Sequence, residues 1–305
     1  MPIFLIRHRT TYRYLNPVAF GEHRILLTPR EASDQRTLSR AVTIDPAPTA
    51  LSWSEDASGN VVGRARFGRR ARELTFEARL RVEQDAFRER DLGLLEHART
   101  SPFSYGAEEM PYLARFIERQ HPDPDHAVDR FAQGLLGVDP RRDTWEFLKR
   151  LNAAIRQDFA YLRRDEAGIQ DPTTTLRRRS GTCRDFAALM CEAVRSQGLA
   201  ARFVSGHLYV SAQNEPERNA GGATHAWLQV YLPGGGWIDF DPTSGSVGNR
   251  DLVRIAAVRN PAHASPVSGT FLGFPSDFLG MSVDIDVRLE TGDRAEANGP
   301  ASVAA

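Results

Sequence analysis

The run Arg179-Ser180-Gly181-Thr182-Cys183-Arg184-Asp185-Phe186-Ala187-Ala188-Leu189 constrains the fold more than any other stretch of the chain. Small residues suited to a turn lead straight into a helical period. Phe186, Leu189, Met190, Ala193 and Val194 fall on one stripe, and Gly198 supplies a stop. The pattern predicts a helix from about Cys183 to Gln197, with the cysteine at its start. The first N–H groups of a helix have no intrahelical partners, and the helix dipole adds partial positive charge there. Both favour the thiolate, which is the reactive form of cysteine. Most free cysteines are simply buried small hydrophobes. Cys183 precedes the apolar stripe rather than lying in it, whereas Cys191 falls well inside the helix and is expected to be core.

A second constraint lies downstream. Val230-Tyr231-Leu232 and Trp237-Ile238 flank a turn built on Pro233-Gly234-Gly235-Gly236, which reads as an antiparallel hairpin. Thr224-His225-Ala226-Trp227 sits on its first strand and Asp239-Phe240-Asp241-Pro242-Thr243 on its second. Turn length decides whether His225 and Asp241 share a face, because a one-residue slip sends every side chain to the other side. A turn of odd length pairs Tyr231 with Trp237 and Gln229 with Asp239. His225 then becomes the diagonal neighbour of Asp241, about 7 Å away at the backbone, a gap that side chains can bridge. The odd turn is therefore expected, with Asp241 ranked over Asp239. A cysteine, a histidine and an aspartate so arranged can serve as nucleophile, base and orienter. His207, on the preceding strand, is the rival base.

These segments resemble the transglutaminase-like superfamily of cysteine enzymes. The family pattern has a Gly-x-Cys helix start, a His-Ala-Trp strand and a Trp-x-x-x-Asp-Pro-Thr strand. Gly181-Thr182-Cys183, His225-Ala226-Trp227 and Trp237 through Asp241-Pro242-Thr243 match it in order. Arg184 stands where the family would lead us to expect Gln. Arg7-His8-Arg9-Thr10-Thr11-Tyr12-Arg13-Tyr14, with Pro17-Val18 and Thr28-Pro29-Arg30, looks like the bacterial N-terminal domain that precedes this core. Ser268-Gly269-Thr270-Phe271 and Asp277-Phe278-Leu279-Gly280-Met281 look like the end of the same bacterial group. The resemblance implies a papain-like triad of Cys183, His225 and Asp241 and an acyl-transfer reaction through a thioester. Hydrolysis of peptide or protein amides is favoured, as in a cysteine peptidase or amidase. Transamidation by an amine co-substrate is the alternative, and a non-catalytic binding module is a rival of another class. The Cys183 N–H is one natural oxyanion donor. Related folds draw a second donor from upstream, and Tyr161 is the candidate. Trp227 is expected to flank the site and shield it from water.

The predicted fold class is α+β. Short alternating segments and turn clusters over residues 1–95 suggest a β-sandwich-like N-terminal domain. Residues 96–142 read as a linker with short helices. Residues 143–290 read as a papain/transglutaminase-like core with C-terminal strands, the nucleophile at a helix N-terminus packed on an antiparallel sheet. Residues 291–305 read as a disordered tail. Within the core, a helix is expected over Asp143–Asp158 from the spacing of Trp145, Phe147, Leu148, Leu151 and Ile155.

Charge and composition narrow the field further. Lys+Arg and Asp+Glu both number 39 in the 305 residues, so a broad nucleic-acid footprint is not expected. Cys183 and Cys191 lie about 12 Å apart along one helix, too far for a disulfide. Residues 1–7 are too short for a signal peptide, and no apolar run approaches the roughly 20 residues of a membrane span. Cytoplasmic residence is the default expectation, with no membrane partner. His121 and His126 lie in a Pro/Asp-rich loop without further ligands, so neither a metal nor another cofactor is expected. Oligomeric state is not legible.

Overall fold

Side chains turned inward at alternate positions, Phe4, Ile6, His8, Thr10 and Tyr14, make the long strand Ile3–Phe20 the spine of the N-terminal half. Phe4 and Ile6 are buried while Leu5 and Arg9 face out. The computed structural model describes residues 1–290 apart from 140, 165, 167 and 211–222. The spine pairs antiparallel with Ala71–Gln84, which in turn pairs with Gln35–Asp45. Its ladder breaks between Arg13 and Val18, around Pro17, which has no N–H to give. A second antiparallel sheet runs Val267–Ser268, His23–Ile25, Val61–Arg66, Ala50–Glu55. Ile25, Leu27 and Val62 of that part share one apolar core with Phe76, Leu80 and Val82, which gives the expected sandwich-like arrangement. Val61–Arg66 itself was not anticipated. Gly63 and two arginines dilute its alternation, and Gly63 is there because a Cβ would lie 2.8 Å from the Trp53 ring.

One expected boundary is corrected. The last strand, Phe278–Leu289, does not extend the core. It pairs along the free side of Ile3–Phe20, from Phe4 opposite Leu289 to Tyr14 opposite Phe278. Phe271–Leu272 pairs with the end of the same strand. The chain therefore leaves the N-terminal sheets, builds the core and returns. Period-two alternation identifies a strand but carries no information about a partner more than 260 residues away. The expected disordered tail, 291–305, lies outside the described residues.

The core sheet has the order Ser246–Val247, Gly236–Asp241, Ala223–Leu232, Ala201–Leu208, Leu252–Val258, all antiparallel. The cysteine helix, Cys183–Ser196, packs on it. Ala127–Leu136, Thr144–Asp158 and Pro172–Arg178 also contact that helix. Asp143 caps Thr144–Asp158 by accepting the Glu146 N–H at 2.9 Å. The cysteine helix is buried on nearly all sides, not on one stripe alone. Even Glu192 and Arg195 are inside, paired at 2.8 Å. Arg195 also donates to the carbonyls of Phe116, Ala201 and Arg259.

Val253, Ile255 and Ala256 of the edge strand Leu252–Val258 join the N-terminal apolar core. At this seam His8 and His207 are both buried, Nδ1 of one 3.0 Å from Nε2 of the other. His8 also meets the Thr10 hydroxyl at 3.0 Å. Burial lowers the His8 pKa to about 4, and burial together with His8 holds His207 well below its ordinary value. The unfolded chain therefore takes up protons below about pH 6.5 that the folded chain refuses, so stability falls as pH drops from 6.5 towards 4. His8 alone is expected to cost about 3 kcal/mol between pH 7 and pH 4, from roughly 1.4 kcal/mol per pH unit of displacement. Urea unfolding at pH 7 and pH 4.5, with His8→Gln beside the parent chain, checks this. Equal acid losses in both chains would remove His8 as the cause.

Candidate active site

Three local structures bring Cys183, His225 and Asp241 together. The first is the start of the cysteine helix. Thr182 is its N-cap, and Asp185 reaches back to accept the Thr182 N–H at 2.8 Å and the Thr182 hydroxyl at 2.9 Å. Asp185 is fully buried and also accepts from Arg164 (2.9 and 3.2 Å) and from the Gln170 N–H (2.6 Å). Burial pushes this carboxyl up, but Arg164 and the two N–H donors outweigh it and hold it below its ordinary value. Asp185 thus fixes the turn that carries the thiol and ties it to the preceding loop. Arg164 was not singled out in the sequence, since nothing in its neighbourhood marks it as a partner of a residue 21 positions on.

The second structure is the hairpin. Its turn is Pro233-Gly234-Gly235, and the register is Leu232 with Gly236, Tyr231 with Trp237 and Gln229 with Asp239. This is the odd-length turn expected from the sequence. Gly234 (φ +86°) and Gly236 (φ +73°) take left-handed conformations. A Cβ at Gly234 would lie 2.0 Å from the Gly93 carbonyl oxygen.

The third structure is the turn after Asp241. His225 Nε2 hydrogen-bonds Asp241 Oδ2 at 2.9 Å. Asp241 also accepts the Thr243 N–H (2.9 Å) and the Ser244 hydroxyl (2.7 Å). With Nε2 engaged, Nδ1 is the ring nitrogen left for Cys183, whose thiol and the imidazole shift each other's titration. Ser244 was missed in the sequence. A serine three residues past an aspartate is common in turns and gives no signal of its own.

The electrostatics follow from this packing. His225 and Asp241 are buried, and Cys183 is half-buried. Burial alone raises the thiol; the hydrogen bond and charge of His225, with the Ala226 N–H, reverse that and bring Cys183 below its ordinary value. Burial alone would lower His225, but the Asp241 charge and hydrogen bond, joined by Cys183, take it well above its ordinary value. Burial raises Asp241, and His225, Ser244 and Thr243 bring it down. All three directions favour a thiolate–imidazolium pair backed by a carboxylate.

The other sequence candidates are placed as follows. Cys191 is buried deep in the helix, and burial pushes its thiol up to about 12. His207 faces His8, not Cys183. Asp239 accepts the Trp227 indole N–H at 2.6 Å and Arg254 at 3.1 Å. Trp227 is fully buried and stacks on His225, ring centres 6.0 Å apart and planes at 24°. Tyr161 lies on the short strand Ala160–Tyr161, paired opposite Gly181, with its ring edge-on to Phe186 at 6.4 Å. His121 and His126 face separate carboxylates, Asp171 at 3.8 Å and Asp129 at 2.8 Å. Among the described residues, no group of three or more His, Cys, Asp or Glu side chains is set to hold a metal, and no helix is long and apolar enough to cross a membrane.

The family model of the bacterial transglutaminase-like N-terminal region matches residues 4–83, and that of the transglutaminase-like superfamily matches residues 129–242. An uncharacterized protein of Mycobacterium tuberculosis is 29% identical over 303 residues, covering 92% of each chain. One of Mycobacterium leprae is 25% identical over 281 residues, covering 91% of this chain and 96% of its own. A solved structure from Cytophaga hutchinsonii, provisionally described as a cysteine protease, superimposes with a TM-score of 0.71 at 19% identity. It covers 96% of this chain and 92% of its own, and so establishes the fold.

Proposed function

We propose that this chain, which belongs to the transglutaminase-like superfamily and carries the bacterial transglutaminase-like N-terminal region, is a cysteine-dependent hydrolase of amide bonds in peptides or proteins. The observation that carries the reading is the buried His225–Asp241 hydrogen bond acting on the Cys183 thiol at a capped helix start. The Cys183 thiolate attacks the amide carbonyl carbon. The oxyanion that forms is met by the Cys183 backbone N–H, with Tyr161 as the proposed second donor. As the C–N bond breaks, His225 gives its proton to the leaving amine. Asp241 holds the ring and balances its charge. The thioester is then attacked by water, whose proton passes to His225, and the acid leaves as the thiolate is restored. Trp227 keeps water from one face of the imidazole, which strengthens its attraction to the thiolate. Hydrolysis is favoured because Cys183 is partly exposed, so water has access to the thioester. An amine in place of water would give transamidation by the same route.

The pH profile of alkylation tests this reading. An ordinary thiol loses a factor of about ten in thiolate per pH unit below its pKa near 8.5. In wild type, Cys183 labelling is expected to stay nearly flat from pH 8 to below pH 6. In His225→Ala it should fall about tenfold per unit over the same range. Cys191 serves as the internal control and should label only on unfolding. The slope is the reliable readout, since a thiolate of low pKa is intrinsically less nucleophilic and absolute rates partly compensate. A steep profile in wild type would remove the activated nucleophile and favour a binding module. Product mass spectrometry of a peptide-amide panel with and without a primary amine then separates hydrolysis from transamidation.

A further inference from the structure

At the opposite end of the cysteine helix from Cys183 lies a cleft of about 480 Å³ that the chemistry above does not use. Three chain segments remote in sequence meet there: the N-terminal sandwich, the helix Met110–Ile117, and the end of the edge strand Leu252–Val258 with the turn that follows. Each contributes a guanidinium, namely Arg24, Arg115 and Arg259, and His263 stands beside them. Asp56 is the one carboxylate in the wall among the described residues. Its oxygens already accept the Ser58 N–H (2.9 Å), the Asn60 N–H (3.0 Å) and the Asn60 side chain (3.1 Å). Arg24 reaches Asp56 at 3.5 Å and donates to the His263 carbonyl at 3.0 Å. Arg115 donates to the Ala57 carbonyl at 3.1 Å, and no carboxylate pairs with it among the described residues. Arg259 is paired with Glu118, outside the lining. Three guanidinium groups thus meet at the cleft against Asp56 in the wall and Glu118 just outside it, and Arg115 carries the charge that no carboxylate balances among the described residues.

We propose that this cleft binds a small oxyanion carrying two or more negative charges. Guanidinium forks suit phosphoryl and carboxylate oxygens equally, and such charge-assisted bonds are the strong ones. The volume is in the range of small-molecule sites. The remaining wall mixes the hydroxyls of Ser58 and Ser268 with the small apolar side chains of Val258 and Ala262. Because the arginines come from separate segments, the bound anion ties the N-terminal sandwich, the linker helix and the core together. It also adjoins the cysteine helix: the Arg259 carbonyl is held by Arg195, twelve residues from Cys183 and so about 18 Å along the helix. The proposal stands apart from the chemistry at Cys183.

Isothermal titration of the full chain with pyrophosphate and with citrate at fixed ionic strength is the test, with acetate as the single-charge control. Saturable binding of at least one polyanion, and at least tenfold weaker binding of acetate, is expected. The two polyanions distinguish a phosphoryl from a carboxylate ligand. Arg115→Ser, at an exposed position that should not disturb folding, is expected to weaken binding at least tenfold. Arg259→Ser should do the same, while Arg184→Ser, far from the cleft, should leave binding unchanged. Unchanged Cys183 alkylation in Arg115→Ser keeps this result separate from the active-site reading. Absence of saturable binding by either polyanion, or binding unaffected by both arginine variants, overturns the proposal.

Discussion

Arg254→Ala is expected to lower the stability of the chain by about 3–5 kcal/mol, the usual cost of stripping one partner from a buried ion pair. Arg254 lies inside the seam between the N-terminal sandwich and the core, donating to Asp239 at 3.1 Å and pairing with Asp34. Its backbone is also fixed there, since the N–H donates to the Gln35 side chain at 2.8 Å and the carbonyl accepts from it at 2.8 Å. Burial already pushes the Asp239 carboxyl up, against the pull of Arg254 and of the Trp227 indole. Without the guanidinium, Asp239 must either remain as an uncompensated buried charge or take up a proton, and both cost folding free energy. Urea denaturation of Arg254→Ala and Arg254→Lys beside the parent chain reads the effect. A loss under about 1 kcal/mol would put the pair in the class of hydrated surface bridges and refute its buried role. The variant also bears on the site, because Asp239 holds the indole that stacks on His225. A residue of the N-terminal region, Asp34, is thus three side chains from the imidazole.

That connection also shows where sequence reading stops. The cysteine helix was legible because one local run carried its turn, its stripe and its stop. The hairpin register was legible because parity is arithmetic: a turn of three residues leaves only one face for His225 and Asp241. Each of these inferences drew on no more than twenty consecutive residues. The missed features join distant positions. Arg254 and Asp34 are 220 residues apart, and Ile3–Phe20 finds Phe278–Leu289 across almost the whole chain. Their local patterns are those of any half-buried strand or any surface arginine. Arg164 was invisible as the partner of Asp185 for the same reason. Ser244 was adjacent to a recognised motif, yet its hydroxyl could have pointed anywhere until the turn after Asp241 was folded. The resemblance to a known family supplied the association of N-terminal and C-terminal segments with one group, but not their pairing with each other.

The largest effects of all are expected at the three residues of the site, and their pattern is more telling than their size. Under the proposed mechanism Cys183→Ala should reduce amide turnover by at least about 10⁴-fold, since it removes the atom that would form the thioester. His225→Ala should lose about 10²–10⁴-fold, the typical contribution of a positioned acid–base group, with further loss from the weakened thiolate. Asp241→Asn keeps an oxygen near His225 Nε2 but removes the charge that raises the imidazole, and it leaves the Ser244 and Thr243 donors facing a neutral acceptor. It should fall between the parent chain and His225→Ala, with the alkaline limit of the pH–rate profile moved down towards the ordinary histidine range. Residues that act as one unit are not additive. The Cys183→Ala/His225→Ala double variant should therefore be no worse than Cys183→Ala alone. Turnover of the peptide-amide panel across this set of variants is the measurement. A double variant markedly slower than Cys183→Ala would mean that His225 promotes a reaction in which Cys183 takes no part. The assignment of nucleophile and base to one series would then have to be abandoned.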